Sequence, residues 1–187
     1  MNGTLNIYYP CKIKDSLLVQ SFNSVWNTYR KMQLTEINPK VRLIGEVWGN
    51  LDFKPNNCIR YFINKLRFNT QEARQLEYVG ALDGVLDFSY QQILCDAVHK
   101  KQTIMNNQKL REKVKSHFAR YPTSFQLWLF LDNHDLNRFL YECGGNTALL
   151  QECIEFSKQW NKTWLMFYGT EREFMNKKSI FDGTPYA

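Results

Sequence analysis

Four short apolar runs, separated by longer stretches with helical spacing, constrain this chain more than anything else in it. They are Val41 to Asn50 (VRLIGEVWGN), Tyr78 to Phe88 (YVGALDGVLDF), Ser124 to Asp132 (SFQLWLFLD) and Thr163 to Gly169 (TWLMFYG). Each is too brief for a helix of ordinary length and is nearly continuous in apolar residues, the pattern of a strand buried on both faces. Between the runs, apolar residues recur at helical spacing. Leu18, Phe22, Val25, Trp26 and Tyr29 mark a helix from Ser16 to about Met32, with Asp15 as its N-cap. Ile59, Phe62, Ile63 and Leu66 repeat the stripe after the first run. Ile93, Leu94, Ala97 and Val98 follow the second run, then Leu110, Val114 and Phe118 on a more polar helix. A further helix over about Thr147 to Trp160 turns Leu149, Leu150, Cys153 and Ile154 inward. Residues 1–14 carry no clear periodicity, although Leu5 to Tyr9 can form a strand that Pro10 ends. Strand and helix therefore alternate with a unit of roughly 40 residues, which predicts an α/β fold of four parallel βα units with helices covering the sheet.

The chain of 187 residues is read as one domain, 1–187, long enough to bury a sizeable core. At 44% hydrophobic and 15% aromatic residues it is globular, not disordered. Its formal charge of +6 is spread along the sequence, and the pairs Arg30-Lys31, Lys100-Lys101 and Lys177-Lys178 have no interleaved aromatics. That is a solvated basic surface, and no nucleic-acid partner is expected. The five cysteines, Cys11, Cys58, Cys95, Cys143 and Cys153, are odd in number and widely spaced, giving neither a disulfide framework nor a zinc site. The opening residues lack the pattern of a signal peptide and no apolar run is long enough to span a bilayer. A soluble, cytoplasmic protein with no membrane partner is the expectation.

Polar residues cluster just after the runs: Glu46, Asp87, His134 with Asp135, and Glu171. In parallel α/β folds ligands bind at the carboxyl ends of the strands, so one pocket can collect them. Alternation along a strand puts Glu46 and Trp48 on one face. Glycoside hydrolysis needs a carboxylic acid to protonate the leaving oxygen and a second carboxylate as nucleophile or base. Glu46 suits the acid, because partial burial and a neighbouring carboxylate such as Asp135 raise a carboxyl pKa. His134 and Asn133 can hydrogen-bond sugar hydroxyls, and Trp48 offers a ring face to a sugar. A strand-end acid held by a neighbouring Arg or Lys is the plainer reading of the same residues.

The motifs sharpen the choice. GEVW at Gly45 to Trp48, FLDNHDLNRF at Phe130 to Phe139 and FYGTE at Phe167 to Glu171 resemble the α-amylase family of glycoside hydrolases, in the family's order. LDGVLDFSYQQIL, Leu82 to Leu94, resembles the segment between the first two, and the closing FDGTPYA resembles the stretch after the last barrel strand. The resemblance covers roughly Ser16 to Ala187 and implies a (β/α)8 barrel that cleaves or transfers α-glucosidic bonds with retention. By that resemblance Glu46 corresponds to the general acid/base and Asp135 to the second acid that binds substrate and stabilises the transition state, with His134 contacting the sugar beside it. Tyr168 and Glu171 are read as loop or packing residues and Arg138 as a structural ion-pair partner. No cofactor is called for, calcium being suggested by the family alone.

The resemblance also has gaps. The family's nucleophile is an Asp two residues after an Arg; here Asp15 is the only Asp ahead of Glu46, with Ile13 in the Arg position, and it serves as a helix cap. The motifs of the first barrel half are absent. A closed eight-stranded barrel takes about 250 residues. The chain is thus expected to be the second half of a TIM (β/α)8 barrel, incomplete as a barrel and inactive alone. Open strand edges and uncovered apolar surface favour self-association or pairing with an N-terminal barrel half. The alternative is a non-catalytic carbohydrate-binding or subunit-interaction protein on the same scaffold.

Overall fold

The structure, a computed structural model, describes residues 5–6, 33–48, 58–67 and 70–175. Asp15, the expected helix from Ser16 to Met32 and the closing FDGTPYA lie outside the described residues. The chain forms two compact units, one from residues 1–86 with 121–126 and the other from 87–120 with 127–187.

In the first unit β1 (Leu5–Asn6) pairs in parallel with β2 (Leu43–Gly45), and β2 in parallel with β3 (Gly84–Leu86). A helical turn over residues 33–37 ends where the Asn38 amide bonds the Leu34 carbonyl at 2.8 Å, and a turn through Pro39 and Lys40, closed by the Val41 amide on the Asn38 carbonyl at 3.0 Å, leads into β2. Leu43, Ile44 and Val47 are buried, as an apolar central strand requires. The expected strand from Tyr78 to Phe88 is shorter than its apolar run. Tyr78 accepts hydrogen bonds from Ala81 and Leu82, and Gly80 sits at φ +93°, so the run turns before it pairs. Asp83 extends the pairing with its side chain: its amide donates to the Leu43 carbonyl and its carboxylate accepts from the Leu43 amide, both at 2.9 Å. At Gly84 a Cβ would lie 2.2 Å from the Gln126 carbonyl oxygen, so only glycine fits.

Two helices connect β2 to β3: α1 (Cys58–Arg67) and α2 (Thr70–Leu76). The shorter one does the covering, with Glu72, Ala73 and Gln75 buried. The stripe Ile59, Phe62, Ile63 and Leu66 is helical as expected but does not face a core: these residues are 76%, 60%, 45% and 88% exposed, while Tyr61 is buried. Periodicity identifies residues that share a helix face, and here that face meets solvent.

The second unit holds α3 (Phe88–His99), α4 (Gln108–Phe118), β4 (Gln126–Leu129, whose first residue is counted with the other unit), α5 (Phe139–Glu142), α6 (Thr147–Lys158), β5 (Thr163–Trp164) and a 3-10 turn at Thr170–Arg172. β4 and β5 run parallel, and the Leu165 amide carries the ladder one step on by bonding Leu129 at 2.8 Å. The expected strands Ser124–Asp132 and Thr163–Gly169 are thus longer than the paired segments, because pairing lasts only while a partner lies alongside. Asp87, Asn107 and Asn146 cap α3, α4 and α6, each accepting the amide three residues on at 3.0 Å. Tyr90, Ile93, Leu94, Val114, Leu129, Leu150 and Phe156 form the core, with Phe88 edge-on to Phe130 at 4.9 Å. The Tyr90 hydroxyl donates to Ser157 at 2.8 Å, and Ser157 to the Cys153 carbonyl at 2.7 Å. Burial pushes the Tyr90 phenol and the Cys95 thiol up, and a hydrogen bond with Cys143 does the same for Cys153. All three thiols are free and buried.

Asp87 departs from expectation. It is not a rim acid facing a ligand: both it and His117 are fully buried, and His117 Nε2 lies 2.8 Å from its Oδ2 while Oδ1 caps α3. Among the described residues no helix is long and apolar enough to cross a membrane.

Candidate functional site

Glu46 and Trp48 lie in the first unit. The β2 ladder ends at Gly45, and beyond it burial alternates: Glu46 half-buried, Val47 buried, Trp48 48% exposed. Val47 is therefore the anchor, and its neighbours emerge on the opposite side, as period-two geometry requires. The Gln71 side-chain amide donates to the Val47 carbonyl, and one helical turn later Gln75 donates to the Leu86 carbonyl at 3.3 Å. Sequence reading missed both glutamines, since neither belongs to a motif.

In the second unit, Asn133, His134 and Asp135, all half-buried, form a tight loop after β4. The Asn133 side-chain oxygen accepts the Asp135 amide at 3.0 Å, a local turn that sets the direction of the loop. His134 Nε2 lies 3.4 Å from Asp135 Oδ2, with about a quarter of each side chain exposed. An imidazole and a carboxylate are thus presented together to solvent, able to donate to and accept from hydroxyls.

What holds this loop is Asp132, immediately before it. Its buried carboxylate accepts from the Phe139 amide at 2.9 Å and the Thr170 hydroxyl at 2.6 Å, and Arg138 lies 3.9 Å away. Arg138 stacks over Phe167 at 4.5 Å and Phe174 at 5.8 Å, so it is the structural ion-pair partner its position suggested. Glu171 folds back locally, its carboxylate accepting the Gly169 amide at 2.9 Å. Tyr168 is exposed and edge-on to Phe174. Asp132 was the missed residue here; the buried run leading into it was the available signal.

Burial, only partly offset by these hydrogen bonds and by Arg138, raises the Asp132 carboxyl above the ordinary value. The folded chain then binds that proton more tightly than the unfolded chain. The group favours folding at acid pH, and the contribution drains away as pH climbs from the usual carboxylate range through the raised value. Urea midpoints of wild type and Asp132→Asn measured from pH 3 to 8 are expected to converge or cross in the direction of a relatively weaker wild type as pH rises. A pH-independent difference would contradict this.

Among the described residues no group of three or more His, Cys, Asp or Glu side chains could hold a metal ion.

No family model matches the chain. Over 45 residues it is 44% identical to neopullulanase 2 of Thermoactinomyces vulgaris, a match spanning 24% of this chain and 8% of that protein. Among solved structures, a cyclomaltodextrin glucanotransferase with a three-domain ABC distribution superposes with a TM-score of 0.62 at 23% identity, covering 87% of this chain and 29% of that one. An α-amylase from Geobacillus thermoleovorans, solved in complex with acarbose, gives 0.59 at 18% identity, covering 88% and 33%. The chain thus spans a third or less of these proteins. The resemblance read from the motifs holds: the structural neighbours are α-amylase family enzymes, and the chain has the α/β fold of the second half of their (β/α)8 barrel, with the sheet not closed.

Proposed function

We propose that this chain, sharing its fold with α-amylase family barrels, is part of an α-glucan-acting retaining glycosidase that hydrolyses or transfers α-glucosidic bonds. Glu46 is the general acid/base that protonates the leaving oxygen. Asp135 is the second acid, binding sugar hydroxyls and stabilising the positive charge of the transition state, with His134 and Asn133 hydrogen-bonding beside it and Trp48 stacking on a ring face. The observation that carries this reading is the Asn133–Asp135 turn: a buried Asp132 fixes a loop whose imidazole and carboxylate emerge together, half-exposed, directly after a strand.

A retaining glycosidase also needs a nucleophile, and no Asp of this sequence carries the Arg-x-Asp context. The 187-residue chain therefore binds maltooligosaccharides without turning them over. Calorimetric titration with acarbose, alongside an aryl maltoside assay, tests both halves. Absence of binding would remove the glycosidase reading; robust turnover would remove the inactivity.

A second reading, a non-catalytic module that binds a partner subunit, draws support from the exposed Ile59, Phe62, Ile63 and Leu66 stripe, since apolar surface of this kind marks interaction sites. Self-association or pairing with an N-terminal barrel half is the expected use, and sedimentation velocity reads it.

A further inference from the structure

We infer that Gln71 and Gln75 of α2 are positioning residues for the half-site carrying Glu46 and Trp48. This rests on the proposed role of those two residues in sugar binding, and the geometry lies wholly within the first unit. Past Gly45 the β2 ladder no longer fixes the backbone, yet the side chains that matter come after it. Val47 sits between them, and the orientation of its carbonyl is the orientation of the peptide plane leading into Trp48. That carbonyl is held by the Gln71 side-chain amide. Four residues on, on the same helix face, Gln75 holds the Leu86 carbonyl, the last residue of β3. One helix face thus grips the ends of two adjacent parallel strands.

The residue type is selected by this task. A carbonyl needs a donor, so a glutamate would oppose it with like partial charge, and a shorter asparagine would reach about one carbon less far. The platform is anchored independently of the two glutamines, because Ala73 is fully buried and Glu72 nearly so. A site side chain held through a packed helix keeps its direction without substrate.

The test uses the full chain labelled with 5-fluorotryptophan, its five resonances distinguished by substitution (Trp48→Phe assigns Trp48). Gln71→Met keeps the bulk and removes the donor; Gln71→Glu keeps the shape and reverses its polarity. Both are expected to move the Trp48 resonance and leave the other four and the urea midpoint near wild type, and to weaken acarbose binding roughly tenfold, the scale of one hydrogen bond. An unmoved Trp48 resonance would overturn the inference, as would a midpoint that falls with all five resonances shifting together. If wild type fails to bind acarbose, the functional reading fails, and the Trp48 resonance still decides the positioning role.

Discussion

Asp87→Ala is expected to unfold the second unit or bring it to the edge of unfolding. The substitution removes the N-cap of α3, worth about 1 kcal/mol, and strands the buried His117 imidazole without its acceptor. Leaving a buried polar group without its hydrogen bond costs about 1–3 kcal/mol, more where the group is charged. Against a typical total of about 5–15 kcal/mol, that is a large fraction. Asp87→Asn retains an oxygen for the Tyr90 amide, and its NH2 can donate to His117 Nε2 once the imidazole carries its proton on Nδ1, so it should lose less. Circular dichroism urea curves on both variants check the order. An alanine variant with a wild-type midpoint would mean that the pair contributes nothing net.

The second large effect is catalytic and needs a complete barrel. Supplied with a separately expressed first half bearing the nucleophile, the chain is expected to gain aryl maltoside hydrolysis, and Glu46→Gln should then lower kcat/KM by about 10²–10⁴-fold, the usual share of a general acid. The glutamine cannot deliver a proton but fills the same space, so acarbose affinity should change far less than turnover. Substrates with a very acidic leaving group need little protonation and should show the smallest loss. Equal losses across leaving groups would deny Glu46 the acid role.

What the sequence disclosed and what it hid follow from which interactions are local. Glu46, Trp48 and Asn133 to Asp135 were placed just past apolar runs because the runs themselves are local signals. Asp87 was misread because its partner His117 is 30 residues away and nothing in the local pattern announces burial. The stripe of α1 was correctly helical, but spacing cannot say what a face will meet. Strand lengths were overestimated since an apolar run continues where the neighbouring strand has stopped or, at Gly80, where a turn intervenes. Gln71 and Asp132 act on distant backbone, and such contacts leave no spacing to find.

Gly84 has a bearing on strand register. A one-residue slip would bring Asp83 or Val85 to the place where a side-chain carbon collides with the Gln126 carbonyl. In the folded chain a shifted register is therefore excluded sterically at this one glycine, in addition to the penalty that apolar patterning imposes.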